Sequence, residues 1–288
     1  MPASKSRPNH INEQDTTHSS TAVDFSIYAC PTCRSQLKLM EQALICPACN
    51  ITYPISDGIP DCVPEKPNWS TSPLLRWAEG RRYRQALIYE WLRWPLVLNL
   101  YAGFGSLSFK KMVEAIAAMV KVDKGHILDV ACVRGIFSRR VASQSRVVHG
   151  IDISMDMLHQ GADYVKRHHI PNVHFTRARA EALPFGNAVF DAALSVGALQ
   201  LFTDPLAVLR EISRTMKDGA PLAAMTFVAG HRSLLRFHFL RNLTQRAGVH
   251  VFEMATLERY VFEAGFEDFR PQVYDSLILF SARKRRCQ

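Results

Sequence analysis

The sequence predicts an α/β fold: a mostly parallel, Rossmann-like sheet closed by an antiparallel hairpin, with a small cysteine-rich module in front of it. Strand-like and helix-like segments alternate from His126 to Phe227, and this alternation is typical of a parallel sheet with crossover helices. Two further strand-like segments flank Asp275 and Ser276, which indicates a closing hairpin. Two C-x-x-C pairs before residue 50 mark the separate module.

Composition fits one large domain plus a small module in a chain of 288 residues, since a domain takes roughly 100–200 residues. The net charge of +9 is compatible with nucleic acid, an anionic membrane or an acidic substrate, and it requires none of them. No apolar run reaches the ~20 residues that span a bilayer, so no transmembrane helix is expected. Residues 1–24 lack the apolar stretch of a signal peptide and are expected to form a disordered tail.

The cysteine spacing predicts a metal site. Cys30 and Cys33 form one pair, Cys46 and Cys49 form another, and twelve residues separate the pairs. Each pair can place two thiolates on one tetrahedral ion, so residues 25–62 are expected to form a ribbon around a structural zinc. A redox pair, or a ribbon that has lost its metal, is the alternative. The segment between the pairs, QLKLMEQALIC, predicts a short hairpin.

Three further cysteines, Cys62, Cys132 and Cys287, stand outside this pattern. Free thiols are typical of a reducing compartment. The sequence therefore predicts a cytoplasmic protein.

Residues 63–125 are expected to form a linker and a helical lid. The first ten are rich in Pro and Ser, and the segment from Pro73 to Val122 has apolar residues at helical spacing. Met112, Ile116 and Met119 mark an amphipathic helix just before the first strand of the sheet. Dense aromatic residues in this region fit either a core or a lid over the ligand cleft.

The elements of residues 126–288 follow from hydrophobic periodicity and capping residues. Ser154 is expected to cap a helix that ends near Arg167. Asp204, followed by a proline, opens another helix, because aspartate is a good N-cap and proline is favoured at the first helical position. Thr256 is expected to cap a helix that Gly265 ends. The predicted strands cover 126–130, 147–151, 173–176, 190–195, 220–227, 269–274 and 277–283, and the first helix covers 136–143.

Four sequence blocks resemble a known family: HILDVACVRGIFSRRVA, VVHGIDISMDML, ARAEALPF and FDAALSVGALQLF. They resemble class I S-adenosylmethionine-dependent methyltransferases, particularly the group that includes ubiquinone and menaquinone methyltransferases. With the cysteine module, nearly the whole chain resembles bacterial and plastid methyltransferase-like proteins that carry a zinc ribbon. The 23S ribosomal RNA guanine methyltransferases also combine a zinc module with this fold but are less similar.

The resemblance implies a cofactor site for S-adenosylmethionine at the carboxyl ends of the strands. Asp129 would help to hold the methionine ammonium through water, and Asp152 would accept both ribose hydroxyls. The implied cofactor contacts are Asp129, Ala131, Val133, Gly135, Asp152, Ile153, Met157, Arg179, Ala180 and Ser195.

Three ligand-facing positions depart from the family pattern. Val133 stands where the family has a glycine, and a β-branched residue resists a positive φ and adds bulk. Arg179 replaces an aspartate that would accept the adenine amino proton, and arginine only donates. Gln200 stands where the family often has histidine, and an amide cannot exchange a proton near neutral pH.

Methyl transfer to a small, apolar or aromatic, polyketide-like molecule is the function that the resemblance implies. The candidate catalytic residues are Tyr101 on the lid, Gln200 and His231. The first alternative is a methyltransferase-fold enzyme that no longer transfers methyl groups and catalyses a cyclisation in natural-product biosynthesis, because Val133 and Arg179 would obstruct or repel the cofactor. The second alternative is methylation of ribosomal RNA.

A basic segment after the fifth strand, HRSLLRFHFLRNLTQR, allows other partners. It fits an amphipathic helix packed on the core better than an RNA-binding surface, because basic runs are weakly diagnostic. It could also dock on an acidic carrier protein or on a membrane surface. The expected partner is a small-molecule substrate, with a carrier protein as a further candidate and nucleic acid disfavoured.

Overall fold

The computed structural model describes residues 23–63, 98–99, 101–103, 105–229 and 250–286. These residues form two sheets with helices around the larger one. Predictions made for the rest of the chain, which include most of the lid, His231 and the basic segment that follows it, lie outside the described residues.

The cysteine-rich module is a four-stranded antiparallel sheet in the order β1-β2-β3-β4. The predicted hairpin within QLKLMEQALIC is confirmed, and Glu41 turns it with a φ of 51°. A second hairpin turns at Asp57 and Gly58, whose φ values of 52° and 77° match a two-residue turn of type I′. The strands are β1 (Lys38–Met40), β2 (Ala43–Ile45), β3 (Thr52–Ser56) and β4 (Ile59–Pro60).

The larger sheet has seven strands and is Rossmann-like, as predicted. Its order is β10-β11-β9-β8-β5-β6-β7, and β11 runs antiparallel to both of its neighbours, β10 and β9. The chain moves outward from β5 through β6 to β7 and then returns to place β8 on the other side of β5. Ligands bind at such a switch point, beside the carboxyl ends of the strands. The strands are β5 (His126–Val130), β6 (Val147–Asp152), β7 (Val173–Arg177), β8 (Ala192–Val196), β9 (Pro221–Phe227), β10 (Phe266–Tyr274) and β11 (Leu277–Lys284).

Capping side chains explain where two helices begin. Ser108 accepts a hydrogen bond from the Lys111 N–H, and Asp204 accepts one from the Ala207 N–H. The second was predicted, together with the proline that follows it. The helices are α1 (Phe109–Met119), α2 (Ile136–Val141), α3 (Met155–Arg167), α4 (Pro205–Thr215) and α5 (Met254–Glu263).

One predicted cap is confirmed in position only, and another is wrong. Ser154 occupies the N-cap position of α3, but its side chain makes no capping hydrogen bond. Thr256 lies inside α5, whose N-cap is Glu253. The backbone N–H groups of Thr256 and Leu257 both donate to the Glu253 carbonyl, so the helix is already formed before Thr256.

Each face of the larger sheet is covered by a hydrophobic layer. One layer packs residues of α1, α2 and α3 against the sheet. The other packs α4, α5 and the cysteine-rich module against the opposite face, with Tyr28, Leu37 and Leu44 buried beside Phe185 in one continuous cluster. Among the described residues, no helix combines the length and hydrophobicity needed to cross a membrane.

The module also covers the edge strand β7. Asp61 forms a parallel bridge with Arg177, and the Cys62 N–H donates to the Arg177 carbonyl at 2.8 Å. The Tyr28 hydroxyl forms a buried hydrogen bond of 2.7 Å with the hydroxyl of Thr176. The module is therefore part of the same folded body as the larger sheet.

A row of histidines crosses the buried face under the module. His126, His149 and His174 lie on the neighbouring strands β5, β6 and β7, with ring centroids 5.8 Å and 5.9 Å apart. His149 is 1% exposed, and neither of its ring nitrogens has a hydrogen-bond partner among the described residues. Burial, with a smaller contribution from the two neighbouring histidines, lowers the pKa of His149 to about 3.

This pKa predicts a loss of stability in acid. Between pH 6.5 and about 3 the unfolded chain takes up a proton that the folded chain excludes, so the free energy of unfolding falls as the pH falls. At its steepest this amounts to about 1.4 kcal/mol per pH unit. We expect His149→Phe to flatten the dependence of urea midpoints on pH over this range. The exposed His250→Gln should leave it unchanged, and equal slopes in all three proteins would contradict the assignment.

Candidate functional site

Two carboxylates meet at the switch point of the sheet. Asp129 lies near the end of β5, paired in register with Gly150, and Asp152 ends the neighbouring strand β6. Both side chains are buried, with 2% and 8% of their surfaces exposed. Parallel strands bring their carboxyl ends to one edge of the sheet, so the predicted pair is brought together.

In the turn between β5 and α2, every second residue has a positive φ. Ala131, Val133 and Gly135 all have positive φ values, of 58°, 56° and 67°. Only the glycine adopts this conformation without steric cost, and a β-branched residue at a positive φ is a true outlier. The turn therefore keeps the shape that a glycine-rich loop would have, with strain concentrated at Val133.

Asp152 ties this turn to the one after β6. One carboxylate oxygen accepts the Val133 N–H, and the other accepts the Ser154 N–H, both at 2.9 Å. Burial raises the pKa of Asp152, and the backbone hydrogen bonds oppose that shift. Both donors are backbone groups, and each carboxylate oxygen retains lone pairs for a second donor. Among the other predicted contacts, Ile153 is partly exposed within this turn and Met157 is buried in α3.

Asp129 is the more deeply buried carboxylate. It accepts a hydrogen bond of 2.5 Å from the Ser138 hydroxyl of α2. Burial raises its pKa to about 7, with the nearby charge of Asp152 adding to the effect and the Ser138 hydrogen bonds opposing it. Its charge near neutral pH therefore depends on its surroundings, and a cation placed beside it would favour the ionised form.

The loop after β7 carries Arg179 and Ala180. Arg179 lies two residues beyond the end of β7, and its Nε is 3.5 Å from a carboxylate oxygen of Glu181. Both side chains are about one-third exposed, and Ala180 is buried. Sequence reasoning did not single out Glu181, although it stands two positions from the arginine and offers the acceptor that arginine lacks.

Ser195 lies within β8, and Gln200 lies in the short helical turn that follows this strand. The Ser195 hydroxyl is buried and has no hydrogen-bond partner among the described residues. The Gln200 amide donates to the Gly197 carbonyl at 2.7 Å and accepts from the Thr226 hydroxyl at 3.0 Å. Because both ends of the amide are engaged and the side chain is 3% exposed, the structure favours a structural role for Gln200 over a catalytic one.

Tyr101 lies beside the carboxyl end of β9. Its ring stacks on Phe227 with centroids 4.2 Å apart, and its carbonyl accepts the Ser276 N–H. The side chain is half-buried, and this burial raises its pKa. The predicted lid residue is therefore fixed at the same edge of the sheet as the two carboxylates. His231, the other candidate base, lies outside the described residues.

The four predicted metal ligands converge. The sulfur atoms of Cys30, Cys33, Cys46 and Cys49 all lie within 4.8 Å of one another, and those of Cys33 and Cys46 are 3.5 Å apart. A tetrahedral ZnS₄ centre with bonds of about 2.3 Å needs sulfurs roughly 3.8 Å apart, so the cluster could bind zinc. Hydrogen bonds, first from Ser35 and then from Cys49, lower the pKa of Cys33 to about 6, and zinc binds the thiolate form.

Sequence reasoning missed the contacts that join the module to this site. Asp61 pairs with Arg177 at 2.8 Å, and the Arg177 Nε donates to the Ile153 carbonyl at 2.9 Å. Arg34, just after the first cysteine pair, contacts Glu211 and the Leu183 carbonyl. The partners are far apart in sequence, and no local spacing rule links them.

Comparison with known proteins matches two families. The methyltransferase domain family matches residues 127–219, and the Trm112p-like protein family matches residues 26–58. An uncharacterized chloroplastic methyltransferase of Arabidopsis thaliana is 24% identical over 90% of this chain and 78% of its own length. A ubiquinone/menaquinone biosynthesis C-methyltransferase of Vibrio campbellii is 32% identical over 46% of this chain and 59% of its own length.

A solved structure has the same fold. Phosphoethanolamine N-methyltransferase 2 of Haemonchus contortus, in complex with S-adenosyl-L-methionine, superimposes with a TM-score of 0.62. The match covers 77% of this chain and 62% of that chain at 16% sequence identity. At this identity the likeness concerns the fold alone.

The strain at Val133 predicts a stabilising substitution. A non-glycine residue held at such a φ costs about 1–3 kcal/mol, whereas glycine costs about 0.5–1 kcal/mol of additional chain entropy. We expect Val133→Gly to raise the free energy of unfolding by about 1 kcal/mol, measured by urea denaturation. Val133→Ala keeps the positive φ without the branching and should fall between the two. A loss of stability in Val133→Gly would show that the valine side chain's packing outweighs the strain.

Proposed function

Because the chain carries a class I S-adenosylmethionine-dependent methyltransferase domain, we propose that it transfers a methyl group from S-adenosylmethionine to a small apolar or aromatic molecule. The observation that carries the proposal is the pair of buried carboxylates at the switch point, with Asp152 held between two backbone N–H donors. The cofactor-binding residues and the substrate class are parts of this proposal.

The residues present fit the cofactor at three points. Asp152 would accept the ribose hydroxyls, since each carboxylate oxygen accepts one backbone N–H and retains a lone pair for one hydroxyl. Asp129 would hold the cationic amino-acid end, and that positive charge would lower its pKa. The buried Ser195 hydroxyl, which has no partner among the described residues, would donate to the ligand.

When bound, S-adenosylmethionine supplies an electrophilic methyl group on a sulfonium. The protein's part is to position the acceptor and to exclude water. Tyr101 fits the positioning role because its ring is stacked on Phe227 at the site's edge. Burial raises the pKa of its hydroxyl, so it would orient the acceptor as a neutral hydrogen-bond donor.

Arg179 and Val133 would set the cofactor affinity. The Glu181 carboxylate offsets the charge of Arg179 and is an acceptor within reach of the same loop. We propose that Glu181 takes over the role that the aspartate at the Arg179 position has in related enzymes. Val133 already has the backbone conformation of the glycine it replaces, so its side chain, and not the path of the turn, limits the space.

Calorimetric titration with S-adenosylmethionine tests the cofactor site. We expect micromolar binding, and about a hundredfold weaker binding for Asp152→Asn, because an amide leaves one ribose hydroxyl without an acceptor and the site without its charge. The combined change Val133→Gly with Arg179→Asp should strengthen binding. The exposed Asp156→Asn, four residues away, is the matched control and should bind like the unmodified protein.

Absence of binding at millimolar S-adenosylmethionine would contradict methyl transfer. That result would favour the alternative function, a cyclase that folds a polyene or polyketide in an apolar cleft, because Val133 and Arg179 are the two positions that oppose the cofactor. One fold can support many chemistries. Assays of the same variants for methyl transfer to candidate acceptor molecules would therefore separate the two functions. Salt-dependent retention of RNA would instead support the ribosomal RNA alternative.

For the four-cysteine cluster we propose one structural zinc. Two further contacts fit the surroundings of a metal thiolate: the Tyr53 hydroxyl lies 3.3 Å from the Cys30 sulfur, and the Cys49 N–H donates to the Cys46 sulfur. Four cysteine ligands leave no open position, so the zinc would stabilise the module and take no part in the chemistry.

Metal analysis tests this assignment. We expect about one zinc per chain, and we expect Cys46→Ser to lose it and to lower the melting temperature. Cys62→Ala changes a buried cysteine that lies just outside the cluster and should keep the zinc. An equal metal content in both variants, or no zinc in the unmodified protein, would contradict the proposal.

A further inference from the structure

We propose that Asp61 and Arg177 are positioning residues through which the cysteine-rich module holds the 152–154 turn in its ligand-binding shape. The inference rests on the proposed cofactor site and deepens it. It assigns the module a role in cofactor affinity in addition to its role in folding.

A single guanidinium, that of Arg177, links the cysteine-rich module to the 152–154 turn. The Arg177 Nη1 is 2.8 Å from the Asp61 Oδ2, and the Arg177 Nε donates to the Ile153 carbonyl at 2.9 Å. The guanidinium is planar and rigid, so fixing one nitrogen fixes the direction of the other. The position of the Ile153 carbonyl is therefore tied to the position of Asp61.

Asp61 is itself held by the module. Its N–H donates to the Pro54 carbonyl on β3, and its second carboxylate oxygen accepts the Val63 N–H at 3.1 Å. The next residue, Cys62, donates its N–H to the Arg177 carbonyl. Asp61 cannot shift unless hydrogen bonds within the module, or between the module and β7, are broken.

The other end of the link lies in the cofactor-binding turn. Ile153 stands between Asp152, the proposed ribose acceptor, and Ser154, whose N–H holds the Asp152 carboxylate. The backbone of Asp152 is also fixed from β7, because its carbonyl accepts the Ala178 N–H at 3.0 Å. Loss of the Arg177 side chain would leave the Ile153 carbonyl without this donor and would widen the range of orientations open to the Asp152 carboxylate.

The module also forms backbone hydrogen bonds with the loop that contains residues 184–186. The Ala29 N–H donates to the Pro184 carbonyl, and the Gly186 N–H donates to the Ile27 carbonyl. This loop follows Arg179 and Glu181, on the side proposed to hold the adenine. Both turns on the adenosine side are therefore linked to the module, one through Arg177 and the other by backbone hydrogen bonds.

The side chains of Asp61 and Arg177 are 20% and 26% exposed, so their charge-assisted hydrogen bonds are only partly screened by water. A purely structural pair would affect the melting temperature alone. A positioning pair must also change the affinity of the folded protein for its ligand, and this difference is what an experiment can measure.

The test measures S-adenosylmethionine affinity by calorimetry and amide hydrogen exchange across residues 150–157, on the full chain. We expect Arg177→Met to weaken binding about tenfold and to speed exchange in this segment, because it removes both contacts. Arg177→Lys, which can make one contact but not both, should lie between. Asp61→Asn should weaken binding, and adding it to Arg177→Met should weaken binding no further.

Lys217→Gln is the matched control. This substitution breaks a 2.7 Å ion pair with Asp191. Asp191 lies just before β8, at the end of the sheet away from the two carboxylates, so the affinity for S-adenosylmethionine should be unchanged. If the Arg177 and Asp61 variants bind like the unmodified protein, the inference is wrong while the proposed function stands. If the unmodified protein does not bind S-adenosylmethionine, the result contradicts the proposed function, on which the inference rests. Should Arg177→Met not fold, the milder Arg177→Lys and Asp61→Asn decide by the same criteria.

Discussion

The burial of Asp152 is the constraint on which the site depends. A carboxylate with 8% of its surface exposed needs donors, and it obtains them from the backbone N–H groups of Val133 and Ser154. The Val133 N–H reaches it from a turn in which Ala131, Val133 and Gly135 all adopt left-handed conformations. The strained backbone at Val133 and the buried carboxylate are therefore parts of one arrangement.

The cysteine-rich module and the sheet are stabilised together. Tyr28 of the module packs against Phe185 with ring centroids 5.0 Å apart, inside a hydrophobic cluster that also contains residues of β5, β6 and α4. The module contributes side chains to the core and backbone groups to the edge of the sheet. A structural change at the sulfur cluster would therefore shift the loops that contact the module, since closely packed interiors transmit strain.

Much of the fold could be predicted because its signals are local. The strand His126–Val130 was predicted to the residue, since a buried apolar run between polar turns marks its own ends. The cap at Thr256 was wrong because backbone bonds to Glu253 begin that helix earlier. The Asp61–Arg177 pair joins residues 116 positions apart, and only the packed structure brings them together. The same holds for Gln200, whose role depends on Thr226 and on a loop carbonyl.

The two borders of the seven-stranded sheet are protected by different means. β10 is mostly exposed, contains Pro271 and has an irregular register between Glu267 and Arg270, features that discourage another chain from pairing with it. β7 has no proline or irregularity of this kind among its described residues and relies on the module instead. A molecule that lost its module contacts would expose an open, pairing-competent strand. The cysteine-rich module thus also protects the protein against self-association through strand addition.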